Sequence, residues 1–327
     1  MSVEKTALLP VPPDLAFALF TEPDGLRRWQ TVTARVDLRA GGAYRWTVVP
    51  GHAAAGTFRE VEPGRRLVFG WGWEGLPDLP PDASTVAVTL EPADGGTLLR
   101  LAHDGLNARQ TATHDDGWSH YLERLQRAAV TGDAGPDDWG ATPDEMNPLS
   151  SADATLAVCQ RVLRGIDEGQ LGNQTPCTEF TVDKLVDHLL RSMFGLGSMA
   201  GAEIAPAPFG HVETQVAFAA EQTLKAWHER GLDGEVSVGP SQMPASRAAA
   251  ILSVEFLVHA WDFAEATGQK VHATDELTAY VLELAEQVIS PQGRAAGAFA
   301  EALEVGPDAD VLDRLLAFTG RTAAWSA

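Results

Sequence analysis

A twenty-residue stretch near the middle of the chain, residues 131–150, separates two parts whose sequence patterns predict different structures. It contains three prolines, three glycines and five acidic residues. This composition is typical of a linker, because proline and glycine interrupt regular elements and clustered carboxylates stay in water. The chain has 327 residues, which is enough for two domains of ordinary size. We therefore predict a first domain over residues 1–130, a linker over 131–150 and a second domain over 151–327.

The first part is dominated by short segments in which apolar and polar residues alternate, the pattern of half-buried β-strands. Gly41-Gly42 marks a turn between two of them, and Asp94-Gly95-Gly96 is a strong hairpin signal between the last two. Two short helical segments follow the first strand, and a long amphipathic segment closes this part. These patterns predict an α+β domain in which an antiparallel sheet curves around the last helix, with an apolar cavity between them. The predicted strands cover residues 2–9, 32–38, 43–49, 56–61, 66–73, 85–90 and 97–103, and the helices 15–20, 24–29 and 115–130.

Three motifs in this part resemble a known family. They are VDLRAGGAYR at residues 36–45, EVEPGRRLVF at 60–69 and GWSHYL at 117–122. Together they resemble the helix-grip, START-like superfamily (SRPBCC), and within it the branch named after the activator of the Hsp90 ATPase. The resemblance covers about residues 1–130 and implies either a cavity for a small apolar ligand or a bare scaffold. The family shares no catalytic motif, so the resemblance implies no particular reaction.

Two groups of side chains in the first part are candidates for a ligand site. A set of aromatic residues either lines the expected cavity or forms an ordinary core, which is the more frequent role of such residues. Three histidines have no ligand-type spacing, and we interpret them as surface or hydrogen-bonded residues. The aromatic residues are Trp46, Phe58, Phe69, Trp71, Trp73 and Trp118, and the histidines are His103, His114 and His120.

The second part has apolar residues at helical spacing in nearly every segment. Four principal helices with two longer connections predict an all-α four-helix bundle, in which a site is built between facing helices. Gly268 is a suitable residue to end the helix that precedes it. The predicted helices cover residues 151–167, 181–200, 213–230, 246–267, 275–289 and 308–319.

Two of these helices carry side chains that are costly to bury unpaired. Glu255 and His259 are four residues apart, so they lie on the same face of their helix, one turn apart. His188 lies among leucines on the helix over residues 181–200. If the two helices pack side by side, two imidazoles and one carboxylate converge, which is the ligand set of a catalytic zinc site with one open position. The alternatives are hydrogen-bonded core histidines and a local Glu–His pair.

A second resemblance covers about residues 148–290. TPCTEFTVDKLVDHL at residues 175–189 and EFLVHAWDFAEATGQ at 255–269 resemble the DinB-like metalloproteins, nearest to the N-terminal domain of mycothiol-dependent maleylpyruvate isomerase. The resemblance implies a divalent metal, usually zinc, held by His188, Glu255 and His259, and it makes mycothiol a candidate cofactor. The isomerase has a further domain after its bundle, whereas here a helix-grip domain precedes the bundle.

Two other side chains, Asp262 and Cys177, are candidates for a role at this site. Asp262 lies three residues beyond His259, where it either orients that ligand or is a charge on the helix surface. Cys177 lies just before the His188 helix and is either a nucleophile or, more often for such a residue, a packed thiol. Cys159 is the second cysteine. Neither cysteine has a partner at metal spacing, and we expect a reducing compartment.

Composition limits the classes of partner. The net charge of −21 argues against nucleic acid, because phosphates repel such a surface. No apolar run reaches the roughly 18 residues of a membrane span, and the first residues lack a signal core. We therefore expect a cytoplasmic protein with a small-molecule partner and no membrane. Few lysines with much alanine and glycine are typical of high-GC actinobacterial proteomes.

Three functions follow from these observations. The first is a zinc-dependent and thiol-dependent isomerase or S-transferase acting on a small electrophile, since a metal-bound thiolate adds to activated double bonds or displaces leaving groups. Attack by zinc-bound hydroxide on an ester or amide is its hydrolytic variant. The second is a binding protein that carries an apolar ligand in the helix-grip domain and a structural metal in the bundle. The third is a stress or interaction protein without chemistry.

Overall fold

A computed structural model describes residues 2–295 and 299–322 of the chain. Contacts between residues divide it into two compact units, Met1–Asp137 and Asp138–Ala327. The division falls inside the stretch that the sequence predicts as a linker. Residues 134–136 belong to the first unit, because the Arg124 guanidinium donates hydrogen bonds to the carbonyl oxygens of Gly135 and Pro136.

The first unit contains one antiparallel sheet of seven strands in the order β1-β7-β6-β5-β4-β3-β2. Successive strands from β2 to β7 pair with their neighbours, and β1 completes the sheet by pairing with β7. The two-residue turn Asp94-Gly95 joins β6 to β7, as the sequence predicts, and Gly95 has a φ of +84°. The strands are β1 Val3–Leu9, β2 Thr33–Val36, β3 Ala43–Val49, β4 His52–Glu62, β5 Arg66–Trp71, β6 Ser84–Ala93 and β7 Gly96–Asp104.

Three helices accompany the sheet: α1 (Pro13–Thr21), α2 (Pro23–Leu26) and α3 (Ala108–Thr131). The third begins two turns earlier than the sequence predicts, because its first turns lack apolar periodicity. Its start is set by a capping box between Asn107 and Gln110. The buried face of α3 joins the core beneath the sheet, an arrangement consistent with the predicted helix-grip domain.

The aromatic residues of the first unit pack against one another. Five of the six predicted positions are buried, and Trp73 is partly buried against the same core. Ring centroids lie 5.4 Å apart for Trp46 and Phe69, and 5.5 Å apart for Trp71 and Trp118. Contacts of this kind stabilise a core beyond the area that they bury. These rings therefore form the core of the domain.

The second unit is mainly helical. Its helices are α4 Pro148–Arg164, α5 Val182–Met199, α6 Val212–Arg230, α7 Ala245–Thr267, α8 Asp275–Val288, α9 Pro291–Ala295 and α10 Val311–Phe318. It also contains a hairpin of two short strands, β8 Glu235–Val238 and β9 Ser241–Pro244. The all-α prediction for this unit missed the hairpin, because four-residue strands in a connection leave little periodicity to detect. No helix in the described residues is both long enough and apolar enough to cross a membrane.

Helix α7 lies at the centre of the second unit, in contact with α4, α5 and α8. It is buried on nearly all sides, since 17 of its 23 residues are buried. It ends at Gly268, which adopts the left-handed conformation with a φ of 71°, as the sequence predicts. The packing of α5 along α7 is the feature that allows side chains of the two helices to meet.

Candidate metal centre

Helix α5 carries His188 on the border of its buried face. Leu185 and Leu189 are buried, whereas the His188 side chain is 33% exposed. The Phe180 ring, from the loop before the helix, lies over the imidazole with a centroid distance of 5.2 Å. Thr181 is the N-cap residue, but its hydroxyl donates to the Asp183 carboxylate and caps no backbone N–H. His188 is thus held between the core and the solvent.

Helix α7 carries Glu255 and His259 one turn apart, and both point towards α5. The Glu255 Oε2 atom lies 3.4 Å from Nε2 of His188 and 3.8 Å from Nε2 of His259. One nitrogen or oxygen from each of the three side chains lies within 4.8 Å of the others. Within the described ranges, this is the one group of three histidine, cysteine or acidic side chains found at such spacing. The structure therefore brings together the three residues selected from the sequence.

The Glu255 carboxylate is ionised in this environment. Burial raises its pKa, but the adjacent imidazoles of His188 and His259 outweigh burial and hold the pKa at about 2. Its Oε2 atom is nonetheless buried and has no hydrogen-bond partner. Such an oxygen is a strong ligand for a cation and is costly to leave alone.

His259 is oriented from behind by Asp262. Its Nδ1 lies 2.8 Å from Oδ2 of Asp262. Burial raises the pKa of Asp262, but the Arg321 guanidinium and the bond from His259 hold it below its usual range. An ionised carboxylate only accepts hydrogen bonds, so Nδ1 donates to Asp262, and Nε2 is the ring nitrogen directed towards Glu255. Of the two interpretations of Asp262, the contact with His259 is the one observed, since Asp262 is fully buried.

The Asp262 carboxylate is itself held by Arg321. Arg321 donates from Nε to Oδ1 at 2.8 Å and from Nη2 to Oδ2 at 2.7 Å. No sequence pattern indicated this residue, because it lies 59 positions from Asp262 and belongs to no motif. Phe180 was missed as well, although it lies inside the motif that contains His188.

Cys177 lies in the electrostatic environment of the same cluster. Burial and, to a smaller extent, the Asp262 carboxylate raise the pKa of its thiol, Arg321 lowers it, and the net pKa is about 11. The thiol is therefore protonated at neutral pH, which disfavours the nucleophilic interpretation. Cys159 is fully buried in α4, burial also raises its pKa, and neither cysteine is in a disulfide.

The three histidines selected from the first part of the sequence are hydrogen-bonded. His103 is buried, with Nε2 2.8 Å from the Ser84 hydroxyl and Nδ1 accepting from the Trp118 indole. His114 accepts from the indoles of Trp71 and Trp73. His120 lies 2.8 Å from an Asp137 carboxylate oxygen. These three histidines do not form a ligand cluster.

Comparison with known proteins finds a matching family for the first unit. Residues 10–129 match the family model of the Activator of Hsp90 ATPase homolog 1-like proteins. The AHSA1-like protein from Rhizobium etli, whose structure was determined by solution NMR, is 42% identical, over 45% of this chain and 92% of that chain, with a TM-score of 0.37. The crystal structure of DynU16, a putative protein in the dynemicin biosynthetic locus, is 24% identical over 42% of this chain, with a TM-score of 0.38. The alignment spans half the length of that protein.

An uncharacterised protein of Mycobacterium tuberculosis is 29% identical over 180 residues, which are 54% of this chain and 99% of that protein. The alignment is longer than the 137 residues of the first unit, so it includes part of the second unit.

Proposed function

This chain belongs, through residues 10–129, to the family of Activator of Hsp90 ATPase homolog 1-like proteins, and we propose that it joins this domain to a DinB-like metal centre. The proposed activity is that of a zinc-dependent and thiol-dependent isomerase or S-transferase acting on a small electrophile. The observation that carries the proposal is the convergence of the Glu255 carboxylate with the imidazoles of His188 and His259.

The three side chains fit a divalent cation. Oε2 of Glu255 and Nε2 of His259 lie 3.8 Å apart, and both atom types are zinc ligands, so one divalent cation could bind the two in place of a proton. Oε2 is buried and has no hydrogen-bond partner, so a cation would supply the one it lacks. Two nitrogens and one carboxylate are the donors of catalytic zinc sites, which keep one position for water or substrate.

The residues in and around the site have different proposed roles. His188 is the ligand nearest to solvent, so an incoming molecule approaches from its side. Phe180 covers the His188 ring and limits access on that side to small molecules. Asp262 holds His259 in the tautomer that binds a metal. A bound zinc ion would act as a Lewis acid that lowers the pKa of a thiol or water at the open position.

The thiol part of the proposal depends on the resemblance to mycothiol-dependent maleylpyruvate isomerase. The cysteine near the site, Cys177, is a poor source of the thiolate, so the proposal requires an external thiol. The Cys177 thiol is protonated at neutral pH, and it is not among the three side chains that converge. Mycothiol is the candidate from the resemblance, and other low-molecular-weight thiols share its chemistry.

The metal centre is tested by elemental analysis of protein purified without added metal. We expect about one zinc per chain in the wild type, and loss of most of it in Glu255→Gln and His259→Ala. Glu255→Gln keeps the size of the side chain and removes its charge. The matched control is His272→Ala, which removes an exposed histidine of the same unit. Unchanged zinc in both site variants, with helical circular dichroism intact, would show that the ligand set is wrong.

The thiol-dependent activity is tested by replacing zinc with cobalt. Titration of the cobalt protein with a low-molecular-weight thiol should produce a thiolate-to-cobalt charge-transfer band, and Glu255→Gln should abolish it. Cys177→Ser is the control, because a band that survives this change cannot come from the protein's own thiol. The absence of a band in a fully cobalt-loaded wild type would exclude the thiol-dependent enzyme.

The family match supports a second candidate, a non-catalytic binding protein that carries a small apolar ligand in the first unit, with a structural metal in the second. Trp46 is completely buried in the aromatic core, and its indole N–H has no hydrogen-bond partner. A ligand that carries an acceptor would satisfy this donor. Native mass spectrometry tests whether the first unit carries a ligand, because this candidate requires a co-purifying small molecule that is lost on denaturation.

A further inference from the structure

Behind the proposed metal ligands lies a buried row of charged and polar groups that ends outside both sequence motifs. Nδ1 of His259 lies 2.8 Å from Asp262, and Asp262 accepts two hydrogen bonds from the Arg321 guanidinium. The side chains of His259, Asp262 and Arg321 are 7%, 0% and 9% exposed. The row is therefore shielded from solvent along its whole length.

Arg321 is supplied by the C-terminal segment, which we define as residues 299–322. Helix α10 packs against α8, and the Arg321 backbone N–H donates to the Leu316 carbonyl at 2.8 Å. A second arginine, Arg294, anchors the same segment by donating to the carbonyl oxygens of Ala300 and Phe318. Arg294 therefore holds the segment, whereas Arg321 holds the Asp262 carboxylate.

The Asp262 charge requires this arginine. A buried carboxylate that loses its partner is an uncompensated charge, and the structure around it rearranges or takes up a proton. Either change would weaken the hydrogen bond between Nδ1 of His259 and Asp262. The His259 ring would then be less firmly oriented with Nε2 towards Glu255. Groups that hydrogen-bond to a metal-binding histidine orient it, and their loss typically costs about 10-fold to 100-fold in metal affinity.

We propose that Arg321 is a positioning residue for the metal ligand His259, acting through Asp262, and that the C-terminal segment is thereby a component of the metal centre. The inference rests on the proposed metal centre and extends it to a part of the chain that lies outside its motifs. It predicts that metal binding depends on the Arg321 charge that this segment places beside Asp262.

The test compares zinc affinity, measured by competition with a chromophoric chelator, in the full chain. Arg321→Met removes the charge and keeps most of the apolar stem, and we expect it to weaken zinc binding by about 10-fold to 100-fold. Arg321→Lys keeps the charge but loses the paired hydrogen bonds, so it should recover part of the loss. Arg294→Met, which removes the other arginine that anchors the segment, should change zinc affinity by less than about threefold if the charge on Asp262 is the decisive factor.

A double variant separates an effect through Asp262 from general damage to the fold. In an Asp262→Asn background no carboxylate remains to be compensated, so adding Arg321→Met should cost less than about threefold in zinc affinity. The absorption spectrum of the cobalt-loaded protein gives a second readout, because a turned His259 ring changes the ligand field. We expect a changed cobalt spectrum in Arg321→Met and the wild-type spectrum in Arg294→Met.

The outcomes are distinguishable. A wild type that binds no zinc overturns the proposed function and, with it, this inference. A wild type that binds zinc while Arg321→Met keeps the same affinity and cobalt spectrum overturns the inference alone. Equal losses in Arg321→Met and Arg294→Met, or an undiminished loss in the Asp262→Asn background, would assign Arg321 a purely structural role and also overturn it.

Discussion

At the scale of single residues, the two units use buried imidazoles in opposite ways. In the first unit, His103 is kept neutral, since burial and, to a smaller extent, the neighbouring His114 together lower its pKa to about 3. In the second unit, His259 is held beside two ionised carboxylates. The same side chain therefore serves as part of a neutral core in one unit and as a candidate metal ligand in the other.

The His103 environment predicts an acid-sensitive first unit. The pKa of His103 is lowered from 6.5 to about 3 in the folded state, so the unfolded chain binds the proton more readily. Its contribution to stability is therefore fully present above pH 6.5 and is lost as the pH falls from 6.5 towards 3. Between pH 6.5 and pH 5 we expect a loss of up to about 2 kcal/mol from this group.

Urea unfolding followed by tryptophan fluorescence measures this loss, since Trp71 and Trp118 lie beside His103. The control is His103→Gln, which cannot titrate and should show a smaller decrease between pH 7 and pH 5. An equal decrease in the two proteins would assign the acid sensitivity to other groups.

The Cys177 environment predicts a slow reaction with alkylating agents. Because its pKa is raised to about 11, few molecules carry the thiolate at pH 8. We expect labelling by iodoacetamide to be about tenfold slower than for an exposed cysteine, even after allowing for the greater nucleophilicity of a basic thiolate. Mass spectrometry of the native protein follows the reaction, and Cys177→Ser identifies the site. Rapid labelling of Cys177 at pH 8 would contradict the protonated thiol.

At the scale of secondary structure, particular capping residues set where the helices begin and end. Helix α7 ends at Gly268 in the left-handed conformation, and α3 ends in the same way at Gly132. The start of α3 depends on the capping box of Asn107 and Gln110, in which each side chain bonds to the backbone N–H of the other residue. Capping residues of this kind replace the hydrogen bonds that the first turn lacks.

The capping box predicts a defined loss of stability for the first unit. Asn107→Ala removes the side chain that accepts from the Gln110 N–H, and we expect a cost of about 1 kcal/mol, within a range of 0.5 to 2. The control is Arg109→Ala, an exposed position in the first turn that should change stability by less than about 0.5 kcal/mol. Urea unfolding at pH 7 compares the variants, and equal stabilities would mean that the cap contributes nothing.

At the scale of the whole molecule, the chain consists of two units with separate cores. The proposed metal ligands, Asp262 and Arg321 all belong to the second unit. A ligand that binds only the folded form of one unit stabilises that unit by mass action and leaves an independent unit unchanged.

Calorimetry should therefore show two unfolding transitions, of which only one responds to zinc. At free zinc 100 times the dissociation constant, we expect the second unit to gain about 2.7 kcal/mol, and a chelator to reverse the gain. A fragment of residues 1–137 serves as the control and should unfold at the same temperature with zinc or with chelator. A shift of that fragment would place a zinc site in the first unit.

Much of this organisation was predictable from local sequence patterns. Alternation and the Asp94-Gly95 turn predicted the hairpins of the sheet, because a strand presents every second side chain to the core. The short hairpin β8–β9 and the first turns of α3 were missed. Both have weak periodicity, and a capping box depends on hydrogen bonds that apolar patterns do not reveal.

Helical spacing alone places Glu255 and His259 on one helix face, because the helical repeat puts positions four apart in adjacent turns. Apolar periodicity likewise indicated the helix that carries His188. That this helix packs along α7, which brings Oε2 of Glu255 within 3.4 Å of His188, could be learned only from the folded structure. Only the tertiary structure brought Arg321 to Asp262 across 59 positions, because contacts between distant segments arise from how helices pack against one another, and no local repeat encodes them.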